Sequence, residues 1–102
     1  MLRVSLNGHL LAESRDTIVD EEGNHYFPPT SVRKSTLSRS DTTSVSVRKG
    51  TAFYYNAMVD NRLTKDVAWY YPTAISDRTK SIEGYIAFDK VSQQFICVIF
   101  TV

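Results

Sequence analysis

Three side chains able to hold or move a proton stand close to aromatic clusters in the sequence, His25 beside Tyr26, Lys49 shortly before Tyr54, and Asp66 shortly before Trp69 and Tyr71, and the Tyr54 phenol is a fourth. General acid–base chemistry needs one group to remove a proton and another to donate one. Asp66 or His25 paired with Tyr54 or Lys49 would fill those roles, giving Asp66, Lys49, Tyr54 and His25 as the catalytic candidates. Such chemistry, of isomerase, cyclase or lyase type, requires no cofactor. Tyr26, Asn56, Trp69 and Tyr71 are the matching ligand-binding candidates, since a small-molecule site is mostly apolar with a few convergent polar groups. Six tyrosines and one tryptophan are many for 102 residues, and each carries a polar group that wants a partner when buried. Aromatic residues also favour strands, so about half of the set reads equally well as plain core or cross-strand pairs.

Other chemistries have less support. Zinc takes about four closely spaced Cys, His or carboxylate ligands. One cysteine and two distant histidines do not provide them, so no metal is expected. Cys97, inside an apolar run, reads as a buried small hydrophobe, and His9, after a turn, as a surface residue. Arg48-Lys49-Gly50-Thr51 is the one fragment resembling a phosphate loop, with a single glycine and no Asp-x-Asp pair to hold magnesium.

The elements that must position these residues are nearly all strands. Asn7-Gly8 between Leu2–Leu6 and His9–Glu13 is a strong hairpin signal, because both turn residues tolerate positive φ. A strand at Thr17–Val19 leads into a solvated acidic turn, Asp20–Asn24, and a further strand at His25–Phe27 is stopped by Pro28-Pro29. Pro29–Lys34 suits one helical turn, and the Ser/Thr-rich residues 35–44 read as an exposed loop. Alternation from Ser44 to Arg48 predicts a strand with Val45 and Val47 on a buried face. After a bend at Lys49-Gly50, Thr51–Val59 and Lys65–Tyr71 are expected to pair antiparallel across the turn Asp60–Arg62. Ser76–Glu83 is the helix candidate, with Ser76 as N-cap and Gly84 just past its end. Gly84–Asp89 and Gln94–Val102 read as a closing hairpin whose second strand, apolar on both faces, is central or doubly covered.

These elements predict a mainly β chain: one compact domain over residues 1–102, built of two antiparallel sheets, tent-like or sandwich, with one or two short helical turns. Twelve Lys plus Arg against eleven Asp plus Glu leave a formal charge of +1, too little to hold nucleic acid or an anionic membrane. The longest apolar run, Phe95–Phe100, falls far short of the roughly 20 residues that span a bilayer. The opening Met1-Leu2-Arg3-Val4 lacks the apolar stretch of a signal peptide, and a lone cysteine makes no internal disulfide, so a cytoplasmic setting is expected.

Three ordered motifs, Lys49-Gly50-Thr51-Ala52-Phe53-Tyr54-Tyr55, Asp66-Val67-Ala68-Trp69-Tyr70-Tyr71-Pro72 and Ile82-Glu83-Gly84-Tyr85-Ile86-Ala87-Phe88, resemble the domain-of-unknown-function 427 family. The Asn7-Gly8 hairpin with Ala12-Glu13-Ser14, and Asn24-His25-Tyr26-Phe27-Pro28, extend the resemblance over most of residues 3–90. It implies a small tent-like β domain that often carries a nucleotidyltransferase label. Where that family commonly reads Cys-Pro-Trp-Lys-Gly, this chain reads Ser46-Val47-Arg48-Lys49-Gly50, so a thiol nucleophile, a metal thiolate or a tryptophan platform is absent there. The function expected from the residues is a small-molecule-binding domain with an aromatic-lined pocket, extending to cofactor-free acid–base catalysis. A protein-interaction module or a nucleotidyltransferase is the alternative. The expected partner is a small organic molecule, with no nucleic acid and no membrane, and a homodimer left open.

Overall fold

In the computed structural model, which describes residues 1–89 and 98–101, Asn7 and Gly8 take φ of 49° and 83° and join β1 (Leu2–Leu6) to β2 (His9–Ser14). This is the positive-φ turn that Asn-Gly favours. Both strands belong to a three-stranded antiparallel sheet of order β2-β1-β9, with β9 at Val98–Thr101. The second sheet has six strands. They are β3 (Ile18–Val19), β4 (His25–Phe27), β5 (Leu37–Ser46), β6 (Gly50–Val59), β7 (Arg62–Tyr70) and β8 (Ile86–Phe88). Their order is β3-β4-β8-β7-β6-β5, all antiparallel. Three short 3₁₀ turns, Pro29–Ser31, Lys34–Thr36 and Asp77–Ile82, are the helical content of the described residues. None of these helices is long and apolar enough to cross a membrane.

Strand alternation gives the large sheet two different faces. One face presents Phe27, Ala57, Val59, Ile86 and Phe88 to Val4, Leu6, Leu11 and Ala12 of the small sheet, forming the main core. Phe27 and Phe88 meet edge to face within it, ring centroids 5.6 Å apart. The opposite face carries Tyr26, Ala52 and Ala87, flanked by the partly buried Ile18, Tyr54 and Trp69. The connection after β7 folds over that face through Tyr71 and Ile82. The candidate site lies here, on the face turned away from the small sheet.

Several expectations are corrected. Residues 37–43, expected as loop, join the expected strand at Ser44 in one β5, because a solvated edge strand and a solvated loop share the same Ser/Thr-rich composition; β5 has no fully buried residue. Val45 and Val47 are 79% and 92% exposed rather than core-facing. The small sheet reaches only the Leu37, Tyr55 and Ala57–Val59 end of the β5–β6 hairpin, so Val45 lies beyond the core and Val47 sits in the turn. The expected helix at 76–83 is a 3₁₀ segment, Asp77–Ile82, and Ser76 Oγ donates to the Arg48 carbonyl at 3.2 Å instead of capping it. Among the described residues, the closing hairpin does not form. β8 pairs with β4 and β7, whereas β9 pairs with β1 and stands at the end of the small sheet's order rather than its centre. Cys97 lies outside the described residues.

Candidate functional site

Lys49 is the last residue of the turn between β5 and β6, and it is only 4% exposed. The turn is fixed by Ser46, whose Oγ accepts the backbone amides of Arg48 and Lys49 at 3.3 and 3.2 Å. It is fixed also by Gly50, whose φ of 104° and contact with the 73–75 segment leave no room for a side chain. A buried ammonium is tolerated only when paired and hydrogen-bonded. Lys49 Nζ donates to Asp20 Oδ2 at 2.8 Å and to Glu22 Oε1 at 2.7 Å. The Asp20 side chain is itself 7% exposed, and its Oδ1 accepts the amides of Glu22 and Asn24, both at 2.9 Å. Arg48 adds an ion pair to Glu21 at 2.5 Å. The acidic turn Asp20–Asn24 is therefore strapped across the β5–β6 turn through the buried Asp20, while Glu21 and Glu22 stay exposed to solvent as expected. Asp20, Glu22 and Asn24 are the site residues that sequence reading missed. Their signal was three consecutive acids in a chain that buries a lysine.

These contacts fix the charge states. Burial disfavours the Lys49 ammonium, but hydrogen bonds to Asp20 and Glu22, with nearby negative charge, outweigh it and raise its pKa above the ordinary lysine value. Burial likewise pushes the Asp20 carboxyl up. The Lys49 and Asn24 hydrogen bonds and the ammonium's charge reverse this and hold it below the usual carboxylate value. Burial raises the Tyr26 phenol to about 12, held back by the Trp69 hydrogen bond and the Lys49 charge. Burial also raises Tyr71.

Beside Lys49 lies a cleft of about 170 Å³ lined by Glu22, Asn24, Tyr26, Lys49, Tyr54, Trp69 and Tyr71. Register explains the convergence: Tyr54 faces Trp69 across β6 and β7, Trp69 faces Ala87 of β8, and Ala87 faces Tyr26 of β4. The Tyr54 and Trp69 rings are 6.2 Å apart, and Trp69 Nε1 donates to Tyr26 Oη at 3.3 Å. Among the described residues, no group of three His, Cys, Asp or Glu side chains is placed to hold a metal ion.

Five of the eight candidate residues thus line one cleft: Lys49, Tyr54, Tyr26, Trp69 and Tyr71. The other three do not. Asp66 has φ of 57° in a bulge where residues 65–67 of β7 oppose Asn56 alone on β6. Its amide donates to Asn56 Oδ1 at 3.0 Å, and its carboxylate accepts Ser40 Oγ at 2.6 Å and Thr42 Oγ1 at 2.8 Å. Residues 40–42 are themselves a bulge in β5, opposite Tyr54. Asp66 and Asn56 therefore tie two bulges together across β6, about 20 Å along the strand from Gly50 at ~3.3 Å per residue. The expectation that Lys49 and Asp66 share a cleft is overturned. His25 precedes Tyr26 on β4 and so points to the opposite face of the sheet.

All-β architecture in two antiparallel sheets defines the chain as a small β domain. It belongs to the family described as Domain of unknown function (DUF427), whose model matches residues 1–98. Comparison with curated proteins finds none that matches the chain.

Proposed function

We propose that the domain binds a small planar organic molecule that presents an acceptor oxygen, in the cleft between Lys49 and the aromatic rings. The observation that carries this reading is the convergence of Tyr26, Tyr54, Trp69 and Tyr71 on one buried ammonium. Two of the three Lys49 N–H donors are used by Asp20 and Glu22, which leaves one for a ligand. The raised phenols of Tyr26 and Tyr71 stay protonated at neutral pH and can serve as further donors. A volume of about 170 Å³ holds about six waters' worth of ligand at ~30 Å³ each. The charge states favour binding over proton transfer, because a lysine held as ammonium and an aspartate held as carboxylate are poor at exchanging protons near neutrality.

Nucleotidyl transfer is less well supported, since Lys49 occupies the two carboxylates that magnesium would need at this cleft. A protein-interaction role would draw on exposed Val45 and Val47 and predicts no small-molecule response at the cleft. Trp69 is the chain's single tryptophan and a wall of the cleft, so its fluorescence reports directly on occupancy. Titration with benzoate, 4-hydroxybenzoate and nicotinamide should change that emission for at least one probe. Tyr71→Phe should weaken the effective probe about tenfold, equivalent to about 1.4 kcal/mol. No emission change and no shift in melting temperature with any of the three would reject the reading.

A further inference from the structure

A second, larger depression of about 480 Å³ shares Lys49 with the aromatic cleft but is built by different elements. It runs between β3, the turn Val47–Lys49 and the 3₁₀ segment Asp77–Ile82. Its volume falls within the ordinary range for small-molecule sites, roughly 300–1,000 Å³. Three of the molecule's exposed large hydrophobics stand on its rim: Val19, Val47 and Ile75, which are 53%, 92% and 60% exposed. Ile18 and the buried Ile82 add apolar wall. Scattered exposed valines need no explanation, but their convergence on one groove does.

Charge around the groove is unevenly spent. Asp20 is committed to Lys49 and Glu21 to Arg48. Arg78, exposed at the groove, has no acidic partner among the described residues. A guanidinium offers a planar fork of donors that matches a carboxylate in two parallel hydrogen bonds. An apolar trough lined also by an arginine without an acidic partner fits a molecule with a hydrocarbon body and an anionic head.

We propose that this groove is a binding site for an alkyl carboxylate, with the chain laid along Ile18, Val19, Val47, Ile75 and Ile82 and the carboxylate held by Arg78. The site is distinct from the aromatic cleft and does not depend on the function proposed for it. The test is isothermal titration calorimetry of the full chain with decanoate, decyltrimethylammonium and butyrate, each below its self-association concentration. Decanoate should fill one site at least about tenfold more tightly than the other two, since only it combines chain and negative charge. Arg78→Gln and Val47→Asp, both at exposed positions, should each weaken decanoate about tenfold with an unchanged circular dichroism spectrum. Tyr71→Phe, in the aromatic cleft, should leave decanoate binding unchanged. Equal binding of all three probes, full decanoate affinity in both groove variants, or loss of decanoate binding in Tyr71→Phe would each overturn the proposal.

Discussion

Lys49 shows why a single residue can be central to this domain without being its chemical actor. Removing one partner of a buried, hydrogen-bonded ion pair leaves the other charge uncompensated, at a typical cost of about 3–5 kcal/mol. Lys49→Met should destabilise the fold by that order at pH 7, measured by urea unfolding. The pH dependence follows from the directions of the shifts. Asp20 is lowered, so its contribution is present above the unfolded aspartate value of about 3.9 and is lost as pH falls through its folded value. Lys49 is raised, so its contribution is complete below the unfolded lysine value of about 10.4 and is lost only as pH rises through its higher folded value. The gap between wild type and Lys49→Met should therefore stay level across neutrality and narrow only below about pH 3.9, as Asp20 protonates. A gap that widens on acidification would contradict the pairing. Asp66 is the opposite case: an acid that reads as catalytic but holds strands together. Asp66→Asn, which tolerates positive φ and keeps an acceptor, should be nearly silent. Asp66→Ala should cost about 1–3 kcal/mol through backbone strain at positive φ, the hydroxyls it frees being open to water, while the response of Trp69 to cleft probes persists. The aromatic side of the cleft was legible in the sequence because Tyr54 and Trp69 face each other across β6 and β7, and Tyr71, just past the end of β7, keeps the side of Trp69. Asp66 and Asn56 were misplaced because a bulge inserts residues without any glycine to announce it, and His25 because one step along a strand reverses the face.

At the scale of elements, the β5–β6 turn is the piece that both depressions depend on, since Val47, Arg48 and Lys49 all belong to it. Gly50 permits it. A Cβ there would stand 3.0 Å from the Thr73 carbonyl oxygen and 3.1 Å from Ile75 Cγ2, at a φ of 104° that side chains rarely adopt. Gly50→Ala should therefore destabilise by about 1–3 kcal/mol. It should also weaken occupancy of the aromatic cleft, because Lys49 moves with the turn; thermal unfolding together with a probe titration checks both effects. Gly8→Ala, also at positive φ but with nothing within 4 Å of the added carbon, isolates the backbone term and should cost less. Hairpins joined by short turns were readable from local chemistry, as with Asn7-Gly8 and the β6–β7 pair. Pairings between distant segments were not. β8 and β9 are neighbours in sequence yet join different sheets, and nothing in either strand's own residues encodes that choice. The first part of β5, residues 37–43, was hidden for another reason, because an edge strand exposed on both sides carries little hydrophobic alternation to detect.

The whole molecule divides its labour between the two faces of the six-stranded sheet. The face toward the small sheet packs Phe27 and Phe88 against Val4, Leu6 and Leu11, all fully buried, whereas the opposite face carries the buried Tyr26 and Tyr71 with the half-buried Tyr54 and Trp69 around a cleft. Stability should therefore follow the first face and ligand response the second. Leu11→Ala removes a fully buried side chain from between the sheets and should cost about 2–5 kcal/mol, depending on how far its neighbours close in. Tyr54→Phe removes one hydroxyl, hydrogen-bonded to Ser44 at 2.9 Å where solvent reaches it, and should change stability by less than about 0.5 kcal/mol while altering the response to cleft probes. The two faces are nevertheless opposite sides of the same strands, so they cannot unfold separately: β4, β7 and β8 contribute residues to both. In urea, the Trp69 fluorescence transition, which reads the outer face, should coincide with the far-ultraviolet circular dichroism transition, which reads all the strands. In Leu11→Ala both midpoints should fall together, although Leu11 and Trp69 lie on opposite sides of the sheet. A Trp69 transition at lower urea than the circular dichroism transition would show instead that the cleft face melts as its own unit, and would separate the two faces that the shared strands are expected to couple.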